Sequence, residues 1–175
     1  SGKSARAYLV KGQIDLGELG GGSLKGTVGA HFEKKEAGFS TLDEDVAHDQ
    51  TVWGLNAQIR PTDRTMVTAQ YEDFKDSTGK SERDAAADIE FAMNSRWKAG
   101  AGVRHTDLST PSGLAKENGS RTDAGAQVTY SPDEDKSVYV FGQVTAARSG
   151  GIERNDRAGV GGKAKLTEKI SLNGE

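Results

Sequence analysis

Residues 51–73, TVWGLNAQIRPTDRTMVTAQYED, decide the fold. They read as two strands around a tight turn, Pro61-Thr62-Asp63-Arg64. In the first strand Trp53, Leu55, Ala57 and Ile59 share one face, while Gly54, Asn56, Gln58 and Arg60 share the other. In the second, Val67, Ala69 and Tyr71 oppose Thr68, Gln70 and Glu72. Successive strand side chains point to opposite faces, so this alternation describes a sheet with one apolar and one polar side. Proline presets the backbone at the second turn position and aspartate bonds its own backbone, which gives the turn a mechanism.

The same pattern recurs on both sides of this hairpin. Upstream, Tyr8, Val10, Gly12, Ile14 and Leu16 alternate with Ala7, Leu9, Lys11, Gln13 and Asp15, and Leu24, Gly26, Val28, Ala30 and Phe32 alternate with Lys25, Thr27, Gly29, His31 and Glu33. Downstream follow Ala85, Ala87, Ile89, Phe91 and Met93, then Trp97, Ala99, Ala101 and Val103, then Ala124, Ala126, Val128 and Tyr130. Residues 138–146 put Val138, Val140, Gly142 and Val144 against Tyr139, Phe141, Gln143 and Thr145, so neither face declares itself. Ala158, Val160, Gly162, Ala164 and Leu166 precede a last strand that starts at Ile170. The expectation is an all-β, antiparallel up-and-down meander of ten strands in a single domain, forming a transmembrane β-barrel or part of one. Short turns are expected near 18–23, 61–64, 94–96, 131–136 and 167–169. Long loops are expected near 34–50, 73–83, 105–121 and 148–156, so short and long connections lie at opposite ends of the sheet.

Composition narrows the function classes. The formal charge is −3, which supplies no basic footprint for nucleic acid. Cysteine is absent, so disulfides and thiolate chemistry are excluded. The opening SGKSARAYLV lacks the basic and continuous apolar regions of a signal peptide. The apolar face is built mostly of Ala, Val and Gly and carries no charge. A soluble core of native density needs bulkier residues, whereas lipid tails conform to small ones. Strands of barrel-spanning length, loops of unequal length at the two ends and aromatics near strand ends also fit a membrane barrel. The expected girdle is Phe32, Trp53 and Tyr71 towards the long loops, with Phe91, Trp97 and Tyr130 (and Tyr139 beside them) towards the short turns.

The phrases VWGLNAQIRPTDRTMVTAQYED and RWKAGAGVRHTDLS resemble strand–turn–strand phrases of TonB-dependent receptors and related large barrels of Gram-negative outer membranes. HFEKKEAGFSTL is similar to stretches of large surface barrels of proteobacteria. The resemblance spans the chain and implies a bacterial outer-membrane setting. It carries no plug-domain sequence, no leader and no terminal aromatic residue, which implies an internal segment of a larger barrel, although ten strands are enough to close.

Read this way, the polar face lines a lumen. Lys25, Arg60, Glu72, Asp88, Glu90, Lys98, Arg104, Lys163 and Lys165 are the candidate lumen charges, with Glu33 beside them. Rings of charge select solutes, while the plainer reading is cross-strand ion pairs that brace the wall. Asp43, Glu44, Asp45 and Asp49 offer oxygens to calcium, but their spacing is not that of an EF-hand, and a solvated acidic loop is the expectation. Asp133, Glu134 and Asp135 form an acidic turn. His105 with Asp107 and Ser109 invites a catalytic reading; His31 and His48 are the other histidines. A triad needs hydrogen-bonding geometry that spacing alone does not supply, so no enzyme activity is expected. The run Gly159-Val160-Gly161-Gly162 precedes no helix and reads as a bend or close packing in the wall. No cofactor or metal is expected. The expected partners are outer-membrane lipid, together with small polar solutes or a surface ligand at the long loops. The expected function is transport. A structural surface anchor or adhesin and a soluble ligand-binding β-barrel are the alternatives.

Overall fold

A computed structural model describes residues 4–19, 24–111, 118–167 and 170–174. The strands are β1 (Ala7–Asp15), β2 (Lys25–Lys35), β3 (Gln50–Thr62), β4 (Thr65–Asp76), β5 (Ser81–Ala92), β6 (Trp97–Ser109), β7 (Gly119–Asp133), β8 (Lys136–Gly150), β9 (Arg157–Thr167) and β10 (Ile170–Gly174). They form one ten-stranded sheet in sequence order, and every ladder is antiparallel. One helical turn, α1 (Leu16–Leu19), follows β1. The all-β meander is as expected. Among the described residues no ladder joins β1 to β10, so the sheet is open rather than closed into a barrel.

Register keeps the two faces distinct across the sheet. Residues paired across antiparallel strands lie on the same side. Val10 stands opposite Phe32, Phe32 opposite Trp53, Ala57 opposite Ala69, and Ala69 opposite Ala87. The row continues from Ala87 to Val103, Ala124 and Val144. A slip of one residue in any ladder would turn a whole strand over, so eight consistent strands, β1 to β8, amount to a strongly specified register. The ambiguous strand β8 is settled by its neighbours. Val138, Val140 and Val144 pair with Tyr130, Val128 and Ala124, which puts them on the apolar face. Tyr139 and Phe141 therefore lie on the polar face, and Tyr139 stands apart from the girdle expected for it.

Among the described residues the sheet has no second layer. Val46 is the one buried hydrophobic residue among those described, while Val10, Val160, Leu55 and Ile89 remain 66, 64, 48 and 47% exposed. A chain of 18.5 kDa exposes 12118 Å², whereas a globular monomer of that mass exposes roughly 8,200 Å². The excess is about half again, as expected of a single sheet with both faces exposed. A fold of this size that buries its apolar residues against one another would not leave them so open.

Local chemistry sets the ends of the strands. Asp15, Thr62, Asn94 and Asp133 each accept a hydrogen bond from the backbone N–H two residues on, at 2.8, 3.2, 2.9 and 3.1 Å. Such side chains mimic a backbone turn. The connection between β3 and β4 narrows to Asp63-Arg64, and that between β7 and β8 to Glu134-Asp135. At the opposite end the strands run further than their polar composition suggests. The connection expected near 73–83 is only residues 77–80, because Asp73 pairs in register with Arg83 and Lys75 with Ser81. Residues 36–49 and 151–156 form two further connections at that end. Parts of the turns at 18–23 and 167–169 and of the loop at 105–121 lie outside the described residues.

Candidate functional site: the concave polar face

Two concavities, of about 720 and 620 Å³, are lined chiefly by polar-face residues. The sheet therefore curls around its polar side, and the apolar side is convex. Glycines on the concave side accommodate the crowding that curvature brings. Gly29, Gly54, Gly102, Gly159 and Gly161 pair in register with Asn56, His31, Asp88, Phe141 and Tyr139. In each case the partner's side chain occupies the space that a Cβ would fill. At Gly54 the added carbon would also lie 2.8 Å from the Tyr71 carbonyl oxygen, which cannot move aside. Gly159 and Gly161 of the run at 159–162 thus serve close packing within the sheet.

Most of the expected lumen charges are brought together in pairs. Lys98 Nζ donates to Glu90 at 3.0 Å, and Arg104 Nε to Asp84 at 3.0 Å, with Thr106 adding a hydroxyl to the same carboxylate at 2.8 Å. Glu72 lies 3.9 Å from His31 Nε2. Lys25 stands opposite Arg60, and Asp63 approaches Lys25 at 3.5 Å, which offsets the like-charge contact. Lys165 reaches Asp135 at 3.9 Å. Asp88 lies over Gly102, and among the described residues Asp88, Arg60 and Lys163 have no ion-pair partner. Glu33 shares Lys35 with Glu44. These pairs are largely solvent-exposed, so each contributes little to stability by itself.

The girdle residues occupy the two ends of the convex face. Phe32 pairs with Trp53, and Trp53 meets Tyr71 at 4.9 Å between ring centroids. At the turn end Trp97 meets Tyr130 at 4.8 Å, with Phe91 on the same face opposite Ala99. At the rung of Trp53 the convex face becomes charged. Asp73, Arg83 and Asp107 stand side by side there, and Arg83 Nε donates to Asp73 at 3.1 Å. Along β5 the interval from Arg83 to Phe91 is eight residues, or about 26 Å of strand. At the usual barrel tilt that becomes about 20 Å, close to the height of about 25 Å of an outer-membrane apolar band.

The remaining candidates separate. His105 bonds the Thr122 hydroxyl at 2.8 Å on the convex face, whereas Asp107 pairs in register with Arg83 and Ser109 with Ser81. These three are not joined by hydrogen bonds. In the loop at 36–49 Glu44 is held by Lys35 at 2.7 Å, and Asp49 accepts the Ala37 N–H at 2.7 Å. No cluster of three or more potential metal-binding side chains occurs among the described residues.

One polar cluster was not anticipated. Asp123 and Thr145 are 5 and 6% exposed on the concave side. Asp123 accepts from the Thr145 hydroxyl and from Arg121 Nε, both at 2.8 Å. The Thr145 hydroxyl accepts the Asn155 N–H at 2.8 Å, its backbone N–H donates to Asp156 at 2.7 Å, and Arg121 donates to the Glu153 carbonyl at 3.1 Å. Residues 151–156 are thereby tied down onto the concave face. The Arg154 guanidinium, at 2.7 Å, and the Thr145 N–H hold the Asp156 carboxyl below the usual carboxylate range. A paired Asp, Thr and Arg spread over β7, β8 and the following loop leave no local motif, and only a register at these strands would have exposed them.

No protein-family profile matches the chain, and no curated protein matches it.

Proposed function

We propose that this chain forms wall of a bacterial outer-membrane β-barrel that carries polar solutes. The observation that supports the reading is the convex face: apolar and uncharged between two aromatic rows, behind a concave face rich in paired charge. Lipid accepts such a face at no packing cost, and water within the curve solvates the other. In hydrocarbon every backbone polar group needs an internal partner. The reading therefore requires the free edges of β1 and β10 to be hydrogen-bonded, to one another or to further strands. The ion pairs on the concave side brace the wall and present a polar surface to a passing solute.

The loop at 36–49 favours a second role, as a surface anchor. It packs Val46 at 3% exposure, forms its own bridge between Ser40 and Asp45, and presents a compact surface beyond the aromatic row. Planar-bilayer recording of the folded chain separates the two. Stepwise conductance is the result expected of a transport wall. A chain that inserts as a folded β-structure and never conducts would set transport aside in favour of anchoring.

A further inference from the structure

Ion pairing along the larger concavity leaves two charges over. Glu90 engages Lys98, Asp84 engages Arg104 and Asp123 engages Arg121, at 3.0, 3.0 and 2.8 Å. Asp88 and Arg157 are the other charged residues that line this concavity, and among the described residues neither has an ion-pair partner. Both are exposed. Register sets them on one rung: Asp88 stands opposite Gly102, Gly102 opposite Gly125, Gly125 opposite Gln143, and Gln143 opposite Arg157. The Asp88 carboxylate leans over Gly102, into the space that a Cβ would fill. Arg157 leans towards it from the far side, where its Nε and a terminal nitrogen donate to the Gln143 carbonyl oxygen at 3.2 and 3.1 Å. Gln143 is neutral, so it fixes the guanidinium without cancelling its charge and leaves the other N–H donors of the fork unused. The carboxylate thus lies over β6 and the guanidinium over β8, two strand spacings or about 10 Å apart, which is too far for them to meet. The floor between them is bare. The atoms nearest to a Cβ at Gly125 are the Gly142 carbonyl oxygen at 3.3 Å and Gln143 at 3.7 Å, both of the adjoining strand, and at Gly100 the nearest is the Ile89 carbonyl oxygen at 3.6 Å.

We propose that this rung is a subsite for a small zwitterion of amino-acid or dipeptide size, its ammonium on Asp88 and its carboxylate on Arg157. Two charge-assisted hydrogen bonds of about 2.8 Å each take up part of the 10 Å gap and leave roughly 4 Å for the ligand itself. One residue spans at most about 3.5 Å and two span about 7 Å, so an amino acid or a bent dipeptide reaches both ends. A solute with a single charge gains one partner and meets a like charge about 10 Å away, which is within the reach of electrostatics at physiological salt. A zwitterion gains at both ends and meets no like charge. The neighbouring carboxylates and cations are already neutralised in their pairs, so they do not compete for either end. The subsite deepens the transport reading and rests on it in one respect, that the concave face is open to water.

Amide chemical-shift titration of the isotope-labelled chain, folded in detergent micelles near neutral pH, tests it with three probes. These are glycylglycine, its N-acetyl derivative, which keeps only the carboxylate, and its C-terminal amide, which keeps only the ammonium. The expected result is shifts at Gly102 and Gly125, with glycylglycine bound about fivefold more tightly than either derivative, the upper range for one exposed ion pair. Asp88 is exposed and unpaired, so Asp88→Asn leaves the wall intact; it is expected to bring glycylglycine down to the affinity of the N-acetyl derivative and to leave that derivative unchanged. Arg157→Gln is expected to bring glycylglycine down to the affinity of the amide. A folded wild type that shows no shifts, equal affinity for all three probes, or glycylglycine affinity unchanged in Asp88→Asn would overturn the subsite. Circular dichroism of each sample in buffer and in micelles monitors the fold. A chain that folds in buffer without detergent would instead overturn the membrane reading, and the same titration in buffer would still decide the subsite.

Discussion

Replacing Ala87 with arginine separates lipid from water at the convex face. Ala87 lies midway between Arg83 at the charged rim and Phe91 at the turn-end aromatic row, and its cross-strand neighbours are Ala69 and Val103. It is exposed, so the new side chain meets no packed core. If the face contacts acyl chains, an arginine at that depth costs about 2–4 kcal/mol, which is roughly a 30- to 900-fold fall in the folding equilibrium constant. If the face contacts water, an exposed substitution of this kind changes stability by only about 0.5 kcal/mol in either direction. Thr68→Lys, on the concave face and opposite Asp88, is the companion variant. It adds a cation beside a carboxylate on the concave face and is expected to change stability by no more than about 0.5 kcal/mol. Reversible urea unfolding in lipid vesicles gives both values. An Ala87→Arg cost as small as that of Thr68→Lys would refute the lipid-facing assignment.

Three further outcomes follow from the geometry. Gly54→Ala places a carbon against the His31 ring and 2.8 Å from a backbone oxygen. Denaturant titration is expected to show a loss of about 1–3 kcal/mol, the usual cost of overpacking. Asp123→Ala strands the buried Thr145 hydroxyl and the Arg121 guanidinium, at a cost of about 1–3 kcal/mol, and hydrogen exchange at residues 151–156 is expected to rise most. Because the folded-state pKa of Asp156 is depressed, its contribution is present above the ordinary aspartate value of about 3.9 and is lost as pH falls through the lower folded value. Limited proteolysis of the loop at 151–156 is therefore expected to accelerate only below about pH 4, and Asp156→Asn is expected to remove that dependence. Loop cleavage that is flat with pH in the wild type would contradict the assignment.

Alternation made the strands and their faces legible, since a period of two needs no tertiary information. Residues 51–73 and 85–103 show this best: most of their apolar members occupy one face, with Val52, Met66, Ala86 and Ala92 the exceptions. Where polar residues fill both faces the pattern goes silent. Asp73–Arg83 therefore reads as loop, although Asp73 and Arg83 pair across a continuing ladder. In β8 both faces carry apolar residues, and only the partners of Val140 and Tyr139 decide which is which. The pairing of glycines with large concave-side residues was equally out of reach, because Gly54 and His31 meet through register rather than through any local motif. The Asp123–Thr145 contact spans 22 residues for the same reason. Closure depends on what the free strand edges meet, which the alternation along each strand does not encode.

The absence of cysteine makes one measurement especially direct. Single cysteines at Val67, Thr68, Ala69 and Gln70 of β4, each carrying a nitroxide in the vesicle-folded chain, report whether a position meets oxygen dissolved in lipid or a nickel chelate dissolved in water. The account predicts strict alternation, with 67 and 69 reached by oxygen and 68 and 70 by nickel. Nickel access to 67 and 69 equal to that at 68 and 70 would contradict it, because the convex face would then stand in water.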